Sequence, residues 1–282
     1  MISFRNMTRE DIPSGLLLCR YATWNQTSDD WQVFLELNPG GCRVALDETG
    51  NVVGTVATLH YEDHFSWIGM VLVHPEKQRQ GIGTQLLMEA LQLLSNHDTI
   101  KLDATPAGRN VYQKLNFVDE YRIDRMHRPA NPAQELYTTS AHAMQAEDFP
   151  GVLRLDYEVF GADRRKVLER NFRRAPQYAL VAKAHGRIQG FCLGRPGYNF
   201  DQIGPLVAHR FDDARQLLLG ALNQARGKTI IVDALDHTPA WRDFLSSLGF
   251  VVMRPLIRMY RGSNAHPGIP EHQFGIAGPE FG

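Results

Sequence analysis

The sequence predicts an α+β chain made of two copies of one unit, each a mixed, mostly antiparallel twisted sheet flanked by helices. Three observations carry this prediction. The chain repeats itself, apolar alternation marks paired strands around turn residues, and apolar residues at helical spacing fill the segments between them.

The repeat emerges when the chain is slid along itself. MTREDI at Met7–Ile12 resembles MQAEDF at Met144–Phe149, at an offset of 137. Gly54 in VVGTV matches Gly190 in IQGFC at 136, and IGMVLVH from Ile68 matches IGPLVAH from Ile203 at 135. LDA at Leu102–Ala104 matches VDA at Val232–Ala234 at 130. Phe117 and Met126 are nine residues apart, as are Phe250 and Met259. Matches in one order with a slowly drifting offset mark two units of about 125 residues, and 282 residues suit two such domains. The expected boundaries are 1–128, a linker 129–137, 138–262, and a tail 263–282. The linker lies in RPANPAQEL, whose prolines continue neither a helix nor a central strand.

Within the first unit, residues 2–6 alternate like a short strand. Asp11–Thr23 and Asp29–Leu37 read as helices, the second capped by Ser28 or Asp29. CRVALDETGNVVGTVATLHYE is a hairpin turning at Gly50, and WIGMVLV is a third long strand. Ile82, Leu86, Leu87, Ala90, Leu91 and Leu94 share one face of a helix over Gly81–Leu94. TIKLDA is a strand, Ala107–Leu115 a helix and Phe117–Met126 a closing strand, and the second unit follows the same order.

Composition narrows the function classes. A formal charge of -1 gives no whole-chain basis for binding nucleic acid or a membrane surface. No apolar run is long enough to span a bilayer, and the N-terminus lacks a signal peptide's apolar core. Cys19, Cys42 and Cys192 have neither metal-ligand nor disulfide spacing, so we expect no metal and free thiols in a reducing, cytoplasmic compartment.

The chemistry concentrates in QRQGIGT, Gln78–Thr84, between the strand MVLV and an amphipathic helix. A helix N-terminus leaves backbone amides unpaired and carries partial positive charge, glycines let those amides close on an anion, and Arg79 adds a full charge. That is a diphosphate site lacking the Lys-Ser/Thr of a nucleotide-hydrolysing loop. Gln78-x-x-Gly81-x-Gly83 after a strand and HP, followed by LL, resembles the acyl-CoA loop of the GCN5-related N-acetyltransferases. VYQKLNF, Val111–Phe117, resembles the late tyrosine motif of that family. The resemblance spans residues 1–128 and implies two such folds in tandem. It implies acetyl-CoA as co-substrate, its diphosphate on the amides of Arg79, Gln80, Gly81, Ile82, Gly83 and Thr84. Its pantetheine arm would lie along Val71, Leu72 and Val73, where a main-chain amide stabilises the oxyanion. Tyr112 would protonate the leaving thiolate. Two positions depart from the family pattern: Thr105 stands where Asn is common and Asn116 where Gly is common.

An amine nucleophile must lose a proton. Glu62 is the first choice of base and His60 the second, both in LHYEDHFSW, which reads equally as a polar hairpin tip. For the acceptor, a small-molecule or peptide amine, the resemblance implies the first two helices, with Tyr21, Trp24 and Trp31 as aromatic walls or as ordinary packing.

The second unit provides an internal control. It is four residues shorter where the phosphate loop should be, VAHRFDDARQLL contains no glycine, and Leu245 stands at the tyrosine position. Asp212 and Asp213 would cap that helix themselves and repel a diphosphate. The second unit therefore resembles the degenerate acetyltransferase-like domain of two-domain family members. Its role is either to cover the acceptor side through Gly194–Pro205 and Phe160–Arg174, or to form a homodimer. The tail, with Phe274, Ile276 and Phe281, either docks extended or is loose. The activity expected is N-acetyl transfer by direct attack; the alternatives are a non-catalytic acyl-CoA sensor and a scaffold.

Overall fold

A computed structural model describes residues 1–236 and 239–282. The first half runs β1 (Ser3–Asn6), α1 (Ile12–Tyr21), α2 (Ser28–Leu37), β2 (Cys42–Leu46), β3 (Val52–Tyr61), β4 (Phe65–Val73), α3 (Ile82–Leu93), β5 (Thr99–Ala104), α4 (Pro106–Gln113) and β6 (Val118–Arg128). The second runs β7 (His142–Ala143), α5 (Phe149–Phe160), α6 (Arg165–Arg174), β8 (Leu180–Ala184), β9 (Arg187–Arg195), β10 (Asp201–Ala208), α7 (Phe211–Gln224), β11 (Ile230–Leu235), α8 (Pro239–Ser247), β12 (Val251–Gly262) and β13 (Gln273–Gly275).

The local expectations follow from residues that act locally. Gly50 sits at φ +84° in the β2–β3 turn, whose chain is tied down by Asp47 accepting from the amides of Thr49 and Asn51. The cap of α2 is Thr27, one residue before the expected Ser28: Thr27 and Asp30 form a reciprocal capping box, with the Thr27 amide donating to Asp30 at 2.8 Å. The apolar face of α3 packs Ile82, Leu86, Leu87 and Ala90 on one side of the first half's sheet, and Trp31 and Phe34 of α2 pack on the other.

One sheet runs through the molecule in the order β1-β2-β3-β4-β5-β12-β6-β11-β10-β9-β8-β7. The two closing strands are exchanged. β12, from the second half, pairs with β5 of the first, while β6, from the first half, pairs with β11 of the second. β6 and β12 also pair antiparallel with each other and fuse the halves. Each exchanged strand carries an arginine into the other half. Arg258 of β12 grips Asp103 of β5 with two bonds of 2.8 Å, and Arg125 of β6 grips Asp233 of β11 with two of 2.7 Å. All four side chains are buried, so bidentate pairing is what makes their charges tolerable.

The parallel pairs β4–β5 and β10–β11 are short. β4 meets β5 only at Ser66–Ile100 and Trp67–Lys101 and then splays away, leaving Ile68–Val73 paired on one edge only, to β3. β10 parts from β11 in the same way after Ile203, but there the tail fills the gap: β13 runs antiparallel along β10, with Leu206 opposite Gly275 and Val207 opposite Gln273. The Trp241 indole donates to the Phe274 carbonyl at 2.8 Å, and the Ile276 amide to Asp233 O at 3.1 Å.

The tail therefore docks. Beyond β13 it crosses into the first half, where Trp67 Nε1 donates to Pro279 O at 3.1 Å and Tyr61 Oη to Phe281 O at 2.7 Å. Phe281 stacks on Phe34 with ring centroids 5.2 Å apart, and Phe274, Ile276 and Phe281 are all buried. Phe281→Ala should cost about 3–5 kcal/mol of stability through lost burial and a cavity beside Phe34, measured by urea unfolding.

Candidate functional site

The splay of β4 opens a cavity of about 480 Å³ that reaches from the start of α3 to the α1–α2 connection. One end is made by Val73, Lys77, Gln78, Arg79 and Gly81 to Thr84. Arg79 at φ +61° and Gly81 at φ +82° turn the chain into α3. At Gly81 the left-handed backbone favours glycine, and a Cβ there would meet nothing within 4 Å. The amides of Arg79, Gln80 and Gly81 donate to no acceptor among the described residues, and those of Ile82 to Thr84 open the helix. Gln78 Nε2 braces the loop on Val73 O at 3.2 Å, and Gln80 Nε2 turns back to Glu76 O at 3.1 Å, away from the cavity. The loop is open, glycine-shaped and electropositive, which suits a diphosphate.

The middle of the cavity is the bared edge of β4. The register with β3 slips between Thr55–Leu72 and Ala57–Gly69, so an extra residue bulges at Met70, whose φ is +55°. Thr55 Oγ1 donates to Met70 O at 2.8 Å and holds the bulge. Val71 and Val73 line the cavity, whereas the Leu72 side chain is core and only its backbone belongs to the exposed edge. Thr105 caps α4 by accepting from the Gly108 amide at 3.2 Å and lines the wall. Tyr112 stands about two α4 turns further on, edge-on to Phe117, and its hydroxyl makes no hydrogen bond among the described residues. Burial pushes its phenol up to about 12, so it holds its proton well above neutrality.

The far end is lined by Trp24, Gln26, Arg254 and the tail residues Pro279 and Glu280. Glu280 lies directly over the bulge: a Cβ on Gly69 would come within 3.1 Å of its carbonyl. Its carboxylate is tied by Oε1 to Arg195. Arg195 also meets Asp30 at 2.6 Å, and Arg174 meets Asp30 at 2.7 Å. Burial pushes Asp30 up, but Arg195 and Arg174 outweigh it and hold the carboxyl below its ordinary range. The second half closes this end: Asn25 bonds Phe200 O, the Tyr198 amide and the Asn199 amide at 3.0 Å or less, and Arg170 reaches Glu36 at 2.8 Å. Gly194–Pro205 and Phe160–Arg174, the segments expected to cover the acceptor side, are thus the ones seated on α1 and α2.

Several expected site residues lie elsewhere. Trp31 is fully buried beneath Gly15 and is core, not a pocket wall. Tyr21 is half-exposed outside the cavity, edge-on to His74 at 4.9 Å. Glu62 sits at the β3–β4 tip, accepting from the Asp163 amide at 2.9 Å. His60 stacks on His97 at 4.5 Å and bonds Ser66 Oγ at 3.0 Å; burial, then His97, lowers its pKa. Neither borders the cavity, and Phe65 to Gly69 alone spans roughly 13 Å of strand. The local chain put acidic and imidazole groups at a hairpin tip; the long-range packing aims that tip away. Glu280 and Arg254 went unnoticed because only the tail's docking and the strand exchange bring them here; the apolar residues of the tail were the one available signal.

In the second half α7 starts directly after β10 with Asp212 and Asp213 in its first turn, and Leu245 is buried at the tyrosine position. With β13 on β10, that cleft is closed by the chain itself.

Comparison with known proteins agrees with this architecture. Residues 8–117 match the acetyltransferase (GNAT) family, and residues 152–275 match an acetyltransferase (GNAT) domain. The chain is similar to an uncharacterized N-acetyltransferase of Bacillus subtilis, YitH, with 23% identity over 86% of this chain and 85% of the relative. It resembles the crystal structure of a putative acetyltransferase from Pyrococcus horikoshii at 27% identity and a TM-score of 0.81, covering 100% of this chain and 96% of the other. A GCN5-related N-acetyltransferase from Sphaerobacter thermophilus shares the fold at 17% identity and a TM-score of 0.67, over 95% and 97% of the two chains. The chain belongs to the GNAT acetyltransferase family, as a two-domain member.

Gly81→Asp should weaken acetyl-CoA binding about ten-fold or more in calorimetric titration, because it strains a left-handed residue and sets a carboxylate among the open amides.

Proposed function

We propose that the first half transfers acetyl from acetyl-CoA to a primary amine by direct attack, the family's general acyl transfer made specific. The observation that carries this reading is the bared edge of β4, which opens between the amide loop and Tyr112 in one cavity. The diphosphate binds the amides of Arg79 to Thr84, and the pantetheine arm takes the backbone edge of Val71–Val73 that β5 leaves unpaired. The thioester then sits at the Met70 bulge, where a main-chain amide turned by the bulge polarises its carbonyl.

The amine enters from the α1–α2 side, between Trp24 and the tail. Its nitrogen forms the bond to the acyl carbon and the C–S bond breaks. Glu280 accepts the amine proton through Oε2, the oxygen that Arg195 leaves open. Tyr112 gives its proton to the departing thiolate sulfur and is recharged from solvent. A sensor has no use for a free phenol in this position, which is why the catalytic reading is preferred.

Release of free thiol from acetyl-CoA in the presence of primary amines tests the proposal. Tyr112→Phe should lower kcat about a hundred-fold or more while acetyl-CoA affinity changes little. A phenol held up to about 12 stays protonated at and above neutrality, so the wild-type rate should show no falling limb from this group between about pH 7 and 10. Unchanged kcat in Tyr112→Phe across that range would remove Tyr112 as the acid.

A further inference from the structure

At the loop end of the cavity Lys77 and Arg79 face the diphosphate of the proposed function; away from that end the charges have traceable partners, and among the described residues one has none. Asp103 is taken by Arg258 and Asp233 by Arg125. Asp30 and Glu280 are shared by Arg174 and Arg195. The cations and carboxylates of these groups balance. Arg254 remains. It comes from the exchanged strand β12, paired with Arg125 at a register shift in β6–β12. With Leu256 it borders the cavity, and Leu256 packs against Ile276 of the tail, which sets this part of β12 on the tail's side of the sheet. Among the described residues its guanidinium meets no carboxylate within 4.0 Å and its Nε is buried with no hydrogen-bond partner. Burial first, then Arg125, lowers its pKa, with Asp233, already taken by Arg125, acting more weakly the other way.

Two acceptors in the same cavity are also open. Glu280 is 2% exposed and Gln26 3% exposed, and Glu280 Oε2 and Gln26 Oε1 are both buried without a donor. Buried polar atoms of this kind cost free energy unless a ligand completes them. The two sets ask for opposite things: an anion opposite Arg254, and N–H donors opposite Glu280 and Gln26.

We propose that the acceptor is a small zwitterion, a primary amine that carries a carboxylate or phosphate group, with its anion on Arg254 and its ammonium between Glu280 and Gln26. The proposal rests on the acyltransfer reading of this cavity. An arginine suits either anion because its planar fork offers parallel donors to two oxygens. The arrangement also fixes direction. With the anion held on β12, the amine is left beside Glu280, directly over the β4 bulge where the thioester is placed. An amine without an anionic group satisfies Glu280 and Gln26 but leaves Arg254 unpaired, so the cavity discriminates against it.

The test is calorimetric titration of matched pairs into the CoA-saturated protein: the common amino acids and phosphoethanolamine against the amino-acid amides and ethanolamine. The member of at least one pair that carries the anionic group should bind about ten-fold or more tightly than the partner that lacks it. Preference for an amino acid assigns a carboxylate, and preference for phosphoethanolamine a phosphate. Arg254→Gln should close the gap, and Arg254→Lys should restore part of it. Equal affinities within every pair, no binding by any anionic amine, or a gap that survives Arg254→Gln overturns the proposal. The wild-type pairs decide between these outcomes even if the variants fold poorly. Failure of CoA itself to bind would count against the acyltransfer reading, and the same pairs titrated without CoA would still report on the anion site.

Discussion

The exchange of β6 and β12 is the constraint from which the rest follows. Each half completes its sheet with the other's last strand, so neither half owns a finished core. The exchange is locked by a matched pair of buried bonds, Arg258 to Asp103 and Arg125 to Asp233, in which each repeat's RM segment finds the other repeat's D-A. Removing one member of such a pair leaves a buried charge without its partner, which is costly in a way that losing both is not. The exchange also decides the chemistry of the cavity, because it delivers Arg254 from the second half into the cleft of the first.

The two halves share one opening and use it differently. Both short parallel pairs splay beyond their first positions and bare the edge of a strand. In the second half the chain's own β13 takes that edge, Trp241 clamps it, and two carboxylates guard the helix start. In the first half the edge stays open, glycines and amides stand at the helix start, and a tyrosine faces the gap. The tail that closes one cleft goes on to wall the other with Pro279 and Glu280, so the second half shapes the far end of the first half's cavity.

What the sequence made legible is what depends on near neighbours. The Gly81 turn, the α3 face, the Gly50 hairpin and the repeat all announce themselves in short windows, and all are present. The strand exchange is silent because the closing strands share a pattern: RMHR and RMYR satisfy either sheet equally, and only the shape of the assembled sheet chooses between them. Trp31, Glu62 and His60 illustrate the same limit from the other side. Their residue types suit a site, but burial beneath Gly15 and the direction of a hairpin tip are set by packing far along the chain. Glu280 and Arg254, conversely, sit in ordinary stretches and acquire meaning only from what the fold places beside them.

Amide hydrogen exchange with and without acetyl-CoA tests most directly the claim that one cleft is open and the other self-filled. Slowed exchange at Val71–Val73 and Arg79–Thr84, with Leu206–Ala214 unchanged and already protected from Leu206 to Ala208, is the result the two clefts predict. New protection in Leu206–Ala214, or none in the first-half segments under saturating acetyl-CoA, would contradict it.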